Sequence, residues 1–204
     1  ISFSPKHVAT LPNLGEVDIF RSIQYLPGVQ LSLGSTSDLY IRGGSPDQNL
    51  ITLDGMTLYQ TSHMFGFLSS VSQETIKDVQ IFKGHIPANF GGRTSSVIEL
   101  MSRSGNNSNY RGSLYGNLMS SGISAEIPIF KKGSAIVNFR KSRPSNQFSK
   151  VYESIEKYMT VDNIFNLITE TGEQNINQST EYDLFSSYED FFNRFSYLIN
   201  SKHR

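Results

Sequence analysis

Apolar and polar residues alternate regularly along three segments in the second half of the chain. These segments read "SGISAEIPI", "SAIVNFRKS" and "DFFNRFSYLIN", and each has an apolar residue at nearly every second position. Successive side chains of a β-strand point to opposite faces, so a period of two predicts strands with one apolar, aromatic face and one polar or charged face. A soluble β-sandwich has the same period, and the pattern alone does not decide what covers the apolar face.

The first hundred residues show a mixed pattern. The apolar spacing of "IFRSIQYLPG" predicts a short helix that ends at the Pro-Gly pair. Asp54-Gly55 stands between the β-prone runs "NLITL" and "MTLY" and predicts a tight hairpin. The runs "LYIRGG", "VQIFKG" and "SSVIELMSR" predict further strands, and Ser70-x-x-Gln73 has the pattern of a capping box, which predicts a helical turn.

A polar, turn-rich stretch, "MSRSGNNSNYRG", separates the two patterns. It predicts a mixed domain over residues 1–105 and a β-rich domain over residues 106–204. Within the second domain the polar segment 143–183 is predicted to be a long loop. Loops of this length are usually functional or disordered.

Composition removes several classes of function. The chain has 204 residues with 18 basic and 18 acidic side chains, so no positive excess favours a nucleic-acid partner. It has no cysteine, which excludes a disulfide scaffold and a thiolate metal site. The four histidines show no metal-ligand spacing, and no nucleophile, base and orienting group can be assembled. We therefore predict no metal, no cofactor and no enzymatic activity.

Several motifs stand in a fixed order along the first hundred residues. They read "LPGVQ", "LYIRGG", "NLITLDGMTLY", "IKDVQIFKGHIPANFGG" and "SSVIELMSR". Together they resemble the plug domain of TonB-dependent outer-membrane transporters, and the form of the region around "HMFGFLSSVSQETIKD" is most similar to receptors of the Bacteroidetes type. Later, "GISAEIPIFKKGSAIVNFRKSR" and "YEDFFNRFSYLINSKHR" resemble early barrel strands of that type.

The resemblance implies an α+β plug domain followed by antiparallel β-strands of an incomplete transmembrane β-barrel. A plugged barrel needs roughly 22 strands, far more than the chain can supply. It also implies a topology in which 110–118 rises from the periplasm, 123–129 descends, 135–141 rises and 191–199 descends, with 143–183 outside the cell. Phe139 and Phe195 would then face lipid rather than a closed core.

The implied function is active uptake of a scarce, bulky ligand across the bacterial outer membrane. An iron–siderophore complex is the first expectation, and a cobalamin or a glycan is possible. The implied partners are TonB, through a segment upstream of this chain, the imported ligand and outer-membrane lipid. The alternative is a soluble β-rich binding module, or a non-transporting remnant, with plug-like motifs.

Residue roles follow from the same resemblance. Arg42 and Lys83 are expected to make contacts between plug and barrel, where a guanidinium suits bidentate pairing with carboxylates. Arg42 should then lack a strong buried ion pair in this chain, or borrow a local acid such as Asp38 or Asp54. The residues expected to face the ligand are Tyr59, His63, Met64 and Phe65, which could equally well only pack the plug against the barrel. The residues expected to form structural turns are Asp54, Gly55, Gly43, Gly84 and Gly91.

Overall fold

A computed structural model describes residues 1–4, 17–30, 38–63, 68–117, 120–130, 132–142 and 187–198. Helix α1 covers Ile19–Gln24. The strands of the first part are β1 (Ser2–Phe3), β2 (Val29–Gln30), β3 (Tyr40–Ile41), β4 (Asn49–Leu53), β5 (Met56–Thr57), β6 (Ser62–His63), β7 (Leu68–Ser69), β8 (Ile76–Lys83) and β9 (Ser96–Ser102). The strands of the second part are β10 (Arg111–Gly116), β11 (Ser120–Ile129), β12 (Gly133–Ser142) and β13 (Glu189–Tyr197).

A five-stranded sheet organises the first part, in the order β1-β8-β9-β4-β5. Strands β4 and β9 are parallel, and the other neighbours are antiparallel. Helix α1 begins after Asp18, whose side chain accepts a hydrogen bond from the backbone of Arg21, and its apolar residues are fully buried. Each such side chain stabilises the fold by roughly 1.5–3 kcal/mol. The predicted short helix is therefore confirmed.

The main buried apolar cluster of the described residues lies in this first part. Its buried cluster contains apolar residues of α1, β3, β4, β8 and β9, with others between residues 19 and 100. No described residue of β10–β13 belongs to that cluster. The core therefore holds the first part together without extending to the strands that follow.

Strands β10 to β13 form a separate antiparallel sheet in chain order, which we call the meander. This order and the antiparallel pairing confirm the predicted arrangement of the alternating segments. The long segment predicted between β12 and β13 lies outside the described residues. No helix among the described residues is long and apolar enough to cross a membrane.

The meander turns its apolar face outward and its polar face inward. The exposed apolar side chains on this sheet are those of Leu114, Ile123, Ile127, Phe139, Phe191, Phe195 and Tyr197. The buried polar side chains are those of Ser120, Ser124, Glu126, Ser134, Asn138, Arg140 and Ser142. Ile123, Phe139 and Phe191 lie side by side across three strands, so the outward apolar residues form one surface. Phe139 and Phe195 are thus exposed, as expected.

Two details differ from the sequence-based expectations. "LYIRGG" was expected to be one strand, but β3 ends at Ile41 and Arg42 has φ 53, so the chain turns at the arginine. The helical turn near Ser70 exists as a 3-10 turn over Gln73–Thr75, but its cap is Ser72, whose hydroxyl accepts from Glu74. The expected cap, Ser70, was therefore wrong, and the nearby Ser72 caps the turn instead.

The hairpin between β4 and β5 generates a stability prediction. Gly55 has φ +84 and Gly91 does not have a left-handed φ, while a Cβ added at either position would meet nothing within 4 Å. Gly55→Ala should lower the free energy of unfolding by about 1 kcal/mol because an L-residue is strained there. Gly91→Ala, the matched control, should change it by less than about 0.5 kcal/mol. Urea unfolding in detergent measures both, and equal effects would contradict the turn assignment.

Candidate functional site

Three polar clusters join the first part of the chain to the inward face of the meander. They lie at two heights along the strands. One cluster surrounds Arg140 of β12, and the others lie on the rung of Ile136, which pairs with Glu126 on one side and Arg194 on the other. Positions 136 and 140 of one strand are ~13 Å apart at ~3.3 Å per residue. The inward face of the meander therefore contacts the first part of the chain at separate points and not along its whole length.

The first cluster is centred on the carboxylate of Asp190. Arg140 donates from Nε to Asp190 Oδ2 at 2.9 Å, and from Nη2 to the backbone oxygen of Ser69 at 2.7 Å. His63 Nε2 lies 2.7 Å from the other carboxylate oxygen, Oδ1. The Arg140 side chain is 2% exposed, so this pair is shielded from water and its loss would leave a charge without a partner.

Tyr188 closes the first cluster from the side. The rings of His63 and Tyr188 are stacked, with centroids 4.2 Å apart, and the guanidinium of Arg140 lies 5.2 Å from the Tyr188 centroid. Tyr188 is itself fixed to β12, because its backbone exchanges hydrogen bonds with Ser142. The histidine and the arginine therefore share one aromatic neighbour.

The second cluster links the β4–β5 hairpin to β13. Arg194 Nη1 lies 3.1 Å from Asp54 Oδ1 and donates to the backbone oxygen of Ser102 at 2.9 Å. The Asp54 carboxylate also accepts from the backbone N–H and the hydroxyl of Ser102. Asp54 thus has two roles: it stands in the turn with φ 49, and its carboxylate accepts from Arg194 of the meander.

The third cluster holds the segment between β9 and β10. Arg103 Nη2 donates to Glu126 Oε1 at 2.8 Å, and Arg103 Nη1 donates to the backbone oxygen of Glu74 at 3.2 Å. The second Glu126 oxygen accepts from the backbone N–H of Asn106 at 3.1 Å. One buried carboxylate of β11 therefore fixes the connecting segment near the point where it leaves the five-stranded sheet.

Arg42 and Lys83 lie together at the surface, away from the meander. Arg42 Nη1 is 3.5 Å from the backbone oxygen of Lys83, and the Lys83 ammonium donates to the backbone oxygen of Pro27. Neither side chain forms an ion pair with a described residue. Asp54, one of the acids that Arg42 was expected to borrow, is occupied by Arg194. The contact of Arg42 and Lys83 with a barrel stays a prediction.

The residues expected to face a ligand have different environments in the structure. Tyr59 is 88% exposed and is open to a partner. His63 instead packs against the meander, where Asp190 and Tyr188 occupy its ring. Met64 and Phe65 lie outside the described residues.

The predicted turn residues also differ among themselves. Gly43, Gly55 and Gly84 all have left-handed φ values. In the pair at 91–92 it is Gly92, rather than Gly91, that has the left-handed conformation. The close approach at Gly84 is real, since a Cβ there would meet the guanidinium of Arg42.

Sequence reasoning did not select the residues that form the three clusters. Arg140, Arg194 and Glu126 were recognised only as members of a polar face. A charged side chain on the polar face of a strand whose other face is aromatic is the available signal, because such a charge must find a partner inside the protein. The identity of that partner depends on how the meander packs against the first part of the chain. Local sequence patterns do not contain that information.

The three clusters join the first part of the chain to the meander. No group of three or more His, Asp or Glu side chains among the described residues could hold a metal ion. In each cluster a charged side chain of the meander contacts a group from the first part of the chain: Arg140 contacts Ser69, Arg194 contacts Asp54, and Glu126 contacts Arg103. The site therefore acts by holding the first part of the chain against the inward face of the meander.

Arg140 and Lys141 provide a matched test of this interface. Both are paired with acids of β13, but the Arg140–Asp190 pair is buried whereas Lys141 and Glu189 are 55% and 57% exposed. Arg140→Met should lower the free energy of unfolding by about 3 kcal/mol, because it leaves a largely buried carboxylate without its main partner. Lys141→Met should change it by less than about 1 kcal/mol. Urea unfolding in detergent that gives equal losses would contradict the structural role of Arg140.

Comparison with known proteins agrees with this architecture. The family described as "TonB-dependent Receptor Plug Domain" matches residues 7–97. A search of curated proteins gives no significant match. Among solved structures, the chain is similar to a mutant of the ferric enterobactin receptor PfeA from Pseudomonas aeruginosa, with 19% identity, a TM-score of 0.52 and coverage of 71% of this chain and 24% of that chain.

A second solved structure gives the same result. The siderophore receptor PirA from Acinetobacter baumannii has 20% identity, a TM-score of 0.53 and coverage of 70% of this chain and 24% of that chain. Identities this low establish a shared fold and nothing finer. The chain spans about a quarter of the length of the two structures. The matched family model identifies residues 7–97 as a TonB-dependent receptor plug domain.

Proposed function

We propose that this chain provides the plug and the first wall strands of an outer-membrane transporter. The transporter imports a scarce, bulky ligand with energy delivered through TonB, which binds a segment upstream of the residues described. The first part of the chain is the plug, and the meander is the beginning of the barrel wall. The protein is a transporter rather than an enzyme.

The polarity of the meander is the observation that carries this proposal. Phe191 and Phe195 are each 66% exposed on β13, whereas Arg140 on the opposite face is 1% exposed. In water such a sheet would leave an extended apolar surface uncovered. In a bilayer the outward face meets lipid, and the inward face meets the plug. A soluble binding module would have to bury the outward face, and no described part of the chain does so.

A ferric siderophore is the ligand class we propose. The two solved receptors of similar fold are named for ferric enterobactin and for siderophores, and this points the proposal toward iron. Tyr59, with its exposed ring, is the first candidate for ligand contact, with Met64 and Phe65 as further candidates. His63 is a less direct candidate because its ring is engaged with the wall.

We also propose that Arg42 and Lys83 make contacts between the plug and barrel strands other than β10–β13. The two side chains are neighbours, since Arg42 Nη1 lies 3.5 Å from the backbone oxygen of Lys83, and a Cβ at Gly28 would be 3.8 Å from both Arg42 Cγ and Lys83 Nζ. No described acid neutralises them. Two adjacent cations without a local acid suit carboxylates supplied by another surface.

Cysteine labelling tests the membrane location of the meander. The chain has no cysteine, so each introduced thiol is unique within it. In an outer membrane, Phe191→Cys and Phe195→Cys should react with an apolar maleimide and resist a charged, water-soluble one, because lipid covers them. Tyr59→Cys, the control, should react with the charged reagent. Equal reaction of all three thiols with the charged reagent would favour the soluble module.

Uptake measurements test transport itself. Bacteria that lack the gene for this receptor should lose TonB-dependent uptake of radiolabelled iron supplied as a ferric siderophore, and the restored gene should recover it. Cobalamin and oligosaccharides serve as competing candidate ligands in the same strains. Uptake that persists without the gene for every candidate, or that is unaffected by loss of TonB, would sink the transport proposal.

A further inference from the structure

The β6–β7 hairpin of the plug has little pairing of its own. Its two strands pair over only two residues each. Beyond them, Ser70 donates from its backbone to Thr61 at 3.0 Å and from its hydroxyl to Gln60 at 2.9 Å. A short two-stranded hairpin is at best marginally stable alone. The place of this hairpin therefore depends on what it contacts.

One ion pair of the wall holds both strands of the hairpin. On β6, the ring of His63 contacts Asp190 at 2.7 Å. On β7, the backbone oxygen of Ser69 accepts from Arg140 at 2.7 Å. Arg140 and Asp190 are bonded to each other across the rung that pairs β12 with β13. Each member of the ion pair thus holds a different strand, and the pair acts as a single clamp.

Exposed Tyr59 immediately precedes this clamped hairpin. The bond from Ser70 to the oxygen of Gln60 extends the hairpin to the residue next to Tyr59. The tyrosine has no described contact of its own that would fix its ring, and it is 88% exposed. On its other side, Leu58 packs against the hydrophobic core and donates from its backbone to Ile51 at 2.9 Å, so the place of Tyr59 relative to the wall depends on both the core and the hairpin.

We propose that Arg140 and Asp190 are positioning residues that hold the β6–β7 hairpin, and through it Tyr59, at a fixed place relative to the barrel wall. This inference rests on the proposed role of Tyr59 in ligand contact. Its consequence is that the wall, together with the core of the plug, sets the geometry of the surface that meets the ligand.

The competing account is that the plug core holds the hairpin. Leu68 and Ser69 are buried, and Val71 belongs to the hydrophobic core. If those contacts were sufficient, removal of the wall clamp would leave Tyr59 in place. The two accounts therefore differ in the position of Tyr59 after Arg140 is changed, and no ligand is required to measure it.

Distances between spin labels distinguish the two accounts in the full chain in detergent micelles. One label pair joins Tyr59→Cys to Asn193→Cys, an exposed position on β13. A second pair joins Met56→Cys, which is exposed on β5, to the same position on β13. With Arg140→Met, the first distance distribution should broaden and shift, while the second should stay as in the parent protein. Lys141→Met, whose exposed ion pair lies beside the clamp, should alter neither.

Arg140→Lys is a milder second variant, which keeps the test valid if Arg140→Met does not fold. Lysine keeps the charge but cannot reach Asp190 and Ser69 with one planar group, so the first distribution should broaden less than with methionine. An unchanged first distribution in both variants would assign the hairpin to the plug core and overturn the proposal. Equal broadening of both label pairs would also overturn it, because the clamp would then act on the whole plug. Failure of ligand uptake with the predicted distances would reject transport while leaving the clamp intact.

Discussion

A sheet that turns its apolar face outward must satisfy the polar groups of its other face inside the protein, and the whole chain is arranged around this constraint. Arg140 and Glu126 are both buried on the inward face of the meander. Burial of an unpaired charge costs several kcal/mol, so each needs a fixed partner. Asp190, on the neighbouring meander strand β13, and Arg103, which follows β9, supply those partners. The plug adds the backbone oxygen of Ser69 to Arg140 and the ring of His63 to Asp190.

The same constraint separates the interface from the core. The buried apolar cluster draws its members from the first part of the chain, and no described meander residue joins it. The described contacts between plug and wall are mostly hydrogen bonds and ion pairs, with the ring of His63 stacked on Tyr188 beside them. Water can replace such contacts at modest net cost, whereas an exposed apolar interface would oppose separation over its entire area. A plug held in this way can leave its wall without disrupting its own core.

Local sequence patterns were sufficient to predict most strands and turns, but they could not predict which residues contact each other between the plug and the meander. A period of two located β11, β12 and β13, and Asp54-Gly55 located a hairpin, because both signals depend on neighbours in sequence. The partner of Asp54 is Arg194, at the far end of the chain, and only the packing of two sheets determines that pairing. Arg42 shows the opposite error: an apolar run suggested a strand, but the chain turns at the arginine itself, with φ 53.

His63 shows why a residue type alone does not define a ligand site. A histidine among aromatic residues suits a bulky ligand, and the sequence offered no acid near it. In the structure, Asp190 of β13 contacts the His63 ring and Tyr188 stacks on it, so this side chain binds the wall instead of facing a ligand. Tyr59, four positions earlier in the chain, has no such engagement and is exposed. In the proposed clamp, Arg140 and Asp190 influence the position of Tyr59, and with it the plug surface, without touching the ligand.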